Sequence, residues 1–451
     1  MNLTYMILYN LTGGGAVRKF FEFDKYNTNY RKEMLGGVTT FIAMAYIIII
    51  NPAILANGGI PREASVTATI IAAIVGTLLM AFYARRPFAI APYMGENAFI
   101  AFTVCLGMGY PWEKALGAVF IGGVIFVIIT ALKIRSWIAR AIPISLKRSF
   151  AVGIGFFIMF IGFNETGIIR LGIEGAPVKI GLLSSAGPFL ALLCIILICV
   201  LMILKIPGSI LIGMIITTVL AYVFGVAEPP LALFSAPPSI APIFLKLDIL
   251  GALSIDFWSV IVVVFILDFV DTMGTLIGVS ARAGLLDDDY NLPDIEKPMM
   301  ADAIATMVGA LAGTSTTGTY IESSAGIEAG AKSGFASLIT AIMFGLCLFI
   351  APVLVSVPAA AYGAALIVVG FLMLSPIKDI HFSDYSELFP SVATIALMSF
   401  TYNIGFGMAA GFFLYPIFKL ISGKSKELSP AVWVMFAISI LLFLFYPYDK
   451  I

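Results

Sequence analysis

Glu96, Asp268, Asp271 and Glu322 each interrupt a run of residues that is otherwise apolar enough to lie in a membrane. A charged side chain at the centre of a bilayer costs roughly 2.5–3.5 kcal/mol on insertion scales, so such residues are rare and usually face a cavity, a substrate or an ion path. Asp268 and Asp271 are three apart in the stretch Phe265–Thr275, and at helical spacing they share a face. Two carboxylates so placed cannot both ionise cheaply in a low dielectric, which suits one of them to carrying a proton. The plainer reading is that one of them hydrogen-bonds a neighbouring helix. Glu322 follows a Gly/Thr/Ser-rich stretch at the expected start of a half-helix. Free N–H groups and the positive end of the dipole favour a carboxylate there, and it can accept N–H donors from a ligand. Glu96 and Asn97 lie just after Pro92 and Gly95, where either is placed to cap the helix that follows. Asp302, close to a cytoplasmic end, reads as structural, and His381, the single histidine, as a solvated loop residue. One histidine leaves no His-based relay.

The elements that must hold these carboxylates are membrane spans. Hydrophobic residues make up 61% of the 451 and charged residues 12%, with mean hydropathy +1.05; a soluble domain carries about 25% charged residues. Apolar runs long enough to cross a bilayer recur from Val38 to Tyr446. The longest polar stretches, 1–32 and 227–256, are too short for a soluble domain. The formal net charge of zero gives no electrostatic case for nucleic acid. Cys105, Cys194, Cys199 and Cys347 are scattered through apolar runs, so neither a disulfide framework nor a metal site is expected. The N-terminus has no short apolar core followed by a small-residue cleavage site, so no secretory signal peptide is read there. The triplets at Asn2 and Asn10 match the glycosylation pattern but fall on the expected inner side.

Spans are expected near 35–56, 66–83, 90–106, 114–132, 148–163, 187–204, 208–225, 257–281, 298–312, 315–328, 334–355, 359–374, 387–401 and 403–421. A further apolar segment at 431–447 either crosses or lies in the interface, with Trp433, Tyr446 and Tyr448 as interfacial anchors. With a cytoplasmic N-terminus, most Lys and Arg fall inside, including Arg135, Arg140 and Lys419. Arg62, Lys114, Arg170, Lys179 and Lys246 fall outside, and Lys450 follows the last segment. This is the asymmetry of the positive-inside rule.

Two segments do not read as ordinary helices. Pro92 and Gly95 break the third span, and the Gly/Thr/Ser-rich stretch Gly313–Gly326 occupies the tenth. Their backbone cannot stay unpaired in lipid, so both are expected to be part extended and part helical, lining a cavity. They stand at the same position in two sets of seven, the pattern that marks a transporter binding site between inverted repeats.

Enzyme readings lack the residues: there is no His-x-x-x-His pair, no Gly-x-Ser-x-Gly and no phosphate-binding Gly-Lys-Ser/Thr. A channel wants a continuous polar stripe or rings of charge rather than discrete central sites. The candidate site offers carboxylates, small hydroxyls (among them Thr275, Thr319 and Ser315) and aromatics (Tyr46, Tyr93, Phe99, Phe157, Tyr320), and no deep Lys or Arg. A flat, neutral, N–H-rich molecule fits this set better than an anion.

Asp271–Thr275, Gly313–Gly326, Ala43–Pro52 and Pro92–Phe99 together resemble the nucleobase–cation symporters, of the nucleobase–ascorbate transporter type. More closely they resemble the AzgA-like branch, which carries adenine, guanine and hypoxanthine. The resemblance runs from about Lys32 to Lys419 and is most specific in the tenth span. It implies an all-α fold of about fourteen spans in a seven-plus-seven inverted repeat, in the plasma membrane. A cytoplasmic segment 1–34 would lead into a core domain of residues 35–132 and 257–355. A gate domain of 133–226 and 356–421, usually the dimer interface, would face it, and 422–451 would form a C-terminal tail. The resemblance makes Asp271 and Glu322 the two substrate-binding carboxylates, with Thr275 supporting the site. The Tyr93–Asn97 region would supply backbone groups and an aromatic neighbour. A purine importer driven by protons, with no cofactor, is the function expected. Asp271, Asp268 and Glu322 are then the candidates for proton handling. Uracil or xanthine transport in the same fold, sodium coupling and an anion pathway are the alternatives.

Overall fold

The computed structural model describes residues 14–134, 142–173, 176–287 and 292–444. Arg135, Arg140, Tyr446, Tyr448, Lys450 and the triplets at Asn2 and Asn10 lie outside the described residues. The chain is mainly helical, in the order α1 (Gly14–Phe20), α2 (Tyr30–Met44), α3 (Ile47–Asn57), α4 (Arg62–Leu79), β1 (Ile90–Pro92), α5 (Met94–Ala98), α6 (Trp112–Ala131), α7 (Ile144–Glu165), β2 (Ile169–Ile173), β3 (Ala176–Ile180), α8 (Ala186–Ile203), α9 (Ser209–Val223), α10 (Trp258–Arg282), α11 (Glu296–Ala312), β4 (Thr317–Thr319), α12 (Ser323–Glu328), α13 (Gly334–Cys347), α14 (Ala359–Met373), α15 (Tyr385–Phe400), α16 (Ile404–Ile421) and α17 (Pro430–Leu444). Among the described residues, nine helices are long and apolar enough to cross a membrane.

Helical structure occurs at each position where a span was expected, but the third and tenth are short strand–helix pairs rather than single helices. The first is not continuous: Ala45 and Tyr46 form a turn between α2 and α3. The segment at 431–447 is helical over Pro430–Leu444 and lies along α16, where Phe413 stacks on Phe436 and meets Phe443 edge-on. The exposed antiparallel hairpin β2–β3 was not expected.

The helices pack in two groups. In one, α11 lies on α6 and α4, α13 on α2 and α4, α3 on α4, and α10 on α6. In the other, α14 lies on α7, α15 on α7 and α16, and α8 on α14 and α9. Hydrocarbon surroundings give no hydrophobic drive between helices, so close backbone approach must supply the contact. In α7 and α14 it comes from glycines seven apart. A Cβ on Gly162 would stand 2.6 Å from the Gly363 carbonyl, and one on Gly370 the same distance from that of Gly155. In the other group, buried Glu33 closes the entry to α13, accepting from Thr28 Oγ1 (2.7 Å), the Lys332 N–H (3.0 Å) and the Ser333 N–H (3.2 Å).

Candidate functional site

β1 and β4 pair antiparallel in the interior, with Ile90 opposite Thr319, Ala91 opposite Gly318 and Pro92 opposite Thr317. The ladder is extended at its ends by Tyr93 N–H to the Thr316 carbonyl (3.0 Å) and Tyr320 N–H to that of Ala89 (2.9 Å). Each strand thus satisfies the polar backbone of the other at a depth where lipid offers no partner. Each leads into a short helix, α5 or α12, and the candidate residues sit at these two turns.

Tyr93 and Tyr320, the residues that leave the two strands, stack with ring centroids 6.1 Å apart and planes 11° apart. The Tyr320 hydroxyl donates to the Pro92 carbonyl. The Tyr93 hydroxyl meets Thr275 Oγ1 at 3.0 Å and donates to the Thr319 carbonyl at 3.2 Å. Thr275 Oγ1 in turn donates to the Asp271 carbonyl (2.8 Å), so Tyr93 joins the paired strands to the turn of α10 that carries Asp271. The Asp271 carboxylate is half-buried and has no side-chain partner among the described residues. Gly318 must lack a side chain, because a Cβ there would fall 2.2–2.4 Å from the Tyr93 ring and hydroxyl.

Glu322 stands at the start of α12 without capping it. Its Oε1 accepts the hydroxyl of Tyr46, the residue at the α2–α3 turn. Asp268, unlike Asp271 on the same helix, is turned into the packing: Oδ2 accepts from Thr306 Oγ1 of α11 at 3.3 Å, and Oδ1 is buried without a partner. Thr306 also receives the Thr317 N–H (3.0 Å) and lies 2.9 Å from the Thr317 carbonyl.

The structure differs from the sequence reading at Glu96 and Asn97. Neither caps the helix, because α5 already begins at Met94 and both lie within it. Asn97 Oδ1 accepts from Ser315 Oγ instead. Both Glu96 oxygens and Asn97 Nδ2 are fully buried with no hydrogen-bond partner. Glu96 lies within electrostatic reach of Asp271 and Asp268, and Tyr320 within reach of Glu322 and Glu96, so these side chains converge on one region. Buried polar groups without a partner are rare, which sets Glu96 and Asn97 apart from the satisfied residues around them.

Thr319 is brought to the site by its carbonyl, since its hydroxyl is engaged by Asp302 (3.0 and 3.2 Å), which also accepts the Thr319 N–H (3.2 Å). Asp302 therefore anchors β4, a structural role as expected, though its partner was not visible in the sequence. Asn51 was given no role from the sequence: its Nδ2 donates to Thr69 (2.7 Å) and Thr314 (2.8 Å), pinning the loop before β4. Phe157 packs edge-on against Tyr402. No group of three or more metal-ligating side chains occurs among the described residues.

The arrangement is a pair of interrupted elements crossing inside a helical membrane protein, and its relatives are transporters. Over 429 residues the chain is 47% identical to a putative permease, MJ0326, of Methanocaldococcus jannaschii, covering 95% of this chain and 98% of that one. The guanine/hypoxanthine permease PbuG of Bacillus subtilis is 40% identical over 95% of this chain and all of its own length. The adenine permease AdeP of Escherichia coli is 34% identical over 96% and 97%. The fold is shared with SLC26A9 (TM-score 0.64, 14% identity, 92% of this chain and 70% of that one). It is also shared with the transmembrane domain of the cyanobacterial bicarbonate transporter BicA (TM-score 0.58, 15% identity, 92% and 98%). The model of the permease family Xan_ur_permease matches residues 31–410, and the chain belongs to that family, the nucleobase–ascorbate transporters, as a multi-pass membrane transporter.

Proposed function

We propose that this protein imports purine nucleobases (adenine, guanine or hypoxanthine) by proton symport with alternating access. The observation that carries the reading is the convergence of Glu322, Asp271 and the unpartnered Glu96 beside the stacked Tyr93–Tyr320 pair. Carboxylates accept ring and exocyclic N–H groups, and aromatic faces cover a planar base. Glu322 accepts the base, Asp271 binds it or holds the coupling proton, and Asp268 is the lesser candidate for the proton because Thr306 already engages it. The names of the guanine/hypoxanthine and adenine permeases among the relatives support the substrate class.

In this reading the two packing groups are core and gate. The spans form two inverted sets of seven, with the N-terminus cytoplasmic in the plasma membrane, and a homodimer forms through the gate. The core carries the site past the gate to expose it on either side.

The test is uptake of radiolabelled adenine, guanine and hypoxanthine into proteoliposomes, with and without an inward proton gradient. Saturable uptake that collapses with a protonophore, and is lost in Glu322→Gln with insertion intact, is the expected result. Purine uptake that ignores the proton gradient and stops on removing sodium would overturn the coupling. Uptake of uracil or xanthine alone would overturn the substrate class, and normal uptake by Glu322→Gln would overturn the site.

A further inference from the structure

Between α9 and the first group of helices lies a cleft of about 680 Å³ that the site does not use. It has the form of a window. At one end Gly208, which precedes α9, presses against Ile42 of α2; a Cβ there would stand 2.3 Å from the Ile42 side chain. At the other end the Tyr222 hydroxyl lies 2.6 Å from Ser356 Oγ. Between these pins the cleft separates α9 from α3 and α13. The floor of the window is Ala45, Ile48, Met214 and Cys347, all buried. Its rims are exposed and apolar: Ile215 53%, Val219 53%, Leu346 57% and Phe349 51%.

A gap of this size between packed helices departs from the close packing of protein interiors, so something fills it. Water is a poor occupant because each ordered water needs two to four polar partners. The walls offer Thr218 Oγ1 and the pinned Tyr222, and little else that is polar. Leu346 and Phe349 lie on a stretch, Gly334–Val355, long and apolar enough to cross a membrane, and Ile215 and Val219 lie on the shorter apolar helix α9, so the window opens onto hydrocarbon. We infer that this window is a seat for an acyl chain of a bilayer lipid, lodged between α9 and the helices that carry the site. Ala45, on the floor, adjoins Tyr46, which holds Glu322. A chain seated there holds α9 at a fixed spacing from the α2–α3 turn. Its effect on transport rests on the alternating-access reading above; its occupancy does not.

The test uses full-length protein in which the four native tryptophans are replaced by phenylalanine. Single reporters Phe349→Trp at the rim and Ile196→Trp on the exposed side of α8 are reconstituted in bilayers with increasing fractions of a phospholipid brominated on its acyl chains. A seated chain quenches the Phe349→Trp reporter at a severalfold lower brominated fraction than the Ile196→Trp reporter. Adding Val353→Phe, which fills the window wall, abolishes that difference. Identical quenching curves would overturn the proposal, leaving ordinary lipid contact. So would an unquenched rim reporter, which means that protein, such as a second copy, covers the window. Leu346→Trp serves as a second rim reporter if Phe349→Trp does not fold. Preferential quenching in protein that takes up no purine would leave the seat standing and remove the transport reading.

Discussion

Tyr46 and Glu322, 276 positions apart in the chain, meet through the tyrosine hydroxyl and one carboxylate oxygen. The bond ties the turn between α2 and α3 to the start of α12, so two interruptions in otherwise helical segments fix each other. A carboxylate with one oxygen engaged presents the other for a ligand.

Tyr46→Phe should therefore leave Glu322 in place but without its orienting donor. Hydrogen bonds to charged groups are worth about 1.5–3 kcal/mol, roughly ten- to hundredfold in an equilibrium constant. The expected outcome is a rise in the half-saturating purine concentration toward that range, with membrane insertion unchanged. Uptake kinetics read it directly, and an unaltered KM would remove the orienting role.

Gly318→Ala drives a methyl group into the Tyr93 ring. Overpacking of this kind costs about 1–3 kcal/mol, and Tyr93 must leave Thr275 and the Thr319 carbonyl. Lower thermal stability in detergent and loss of uptake should appear together. Full uptake with an unchanged Tm would mean the strands and Tyr93 move freely relative to one another.

Asp302→Ala strands the N–H and hydroxyl of Thr319 in the interior. A buried polar group left unsatisfied costs about 1–3 kcal/mol. The variant should unfold at a lower temperature than Asp302→Asn, which keeps one acceptor oxygen. Equal melting temperatures for the two would show that β4 does not depend on this anchor.

At the aqueous end of α15, the Lys424 ammonium (2.5 Å), together with the Ser386 hydroxyl and N–H, holds the Asp384 carboxylate down at about 2. A carboxylate depressed on folding adds stability that is fully present above its ordinary value of 3.8 and is lost as the pH falls through about 2. The group is partly exposed, so solvent screening limits the contribution to about 1 kcal/mol or less. Asp384→Asn should lower the Tm slightly at neutral pH, and the gap to the parent should close between pH 3.8 and about 2. A gap that persists unchanged at the acid end would point to lost N-capping rather than charge.

Much of the candidate site could be read in the sequence because its chemistry conflicts with its surroundings. Glu96, Asp271 and Glu322 stand out against apolar neighbours, and Pro92, Gly95 and the Gly/Thr/Ser run cannot continue a helix in lipid. What the sequence could not supply was partnership. Three-residue strands carry too little pattern to set a register, so the pairing of Ala91 with Gly318 had no signal. The capping reading at Glu96 and Asn97 failed because α5 starts two residues earlier, directly after the strand. Asp302 seemed a helix-end residue because nothing along the chain shows that Thr319 folds back onto it. Gly318 did carry a signal, a glycine amid threonines, although the ring it accommodates lies on a distant element.

The pairing of β1 with β4 also bears on how the protein is made. Ile90–Pro92 belongs to the first part of the chain to reach the membrane, and its partner follows only after α11 has been synthesised. Until then the extended backbone around Pro92 has no companion, and hydrocarbon offers none. The nascent segment around Pro92 must find other partners for its backbone until then. Formation of the native ladder is therefore a late event in biogenesis, and a chain released before residue 317 lacks the strand that β1 needs.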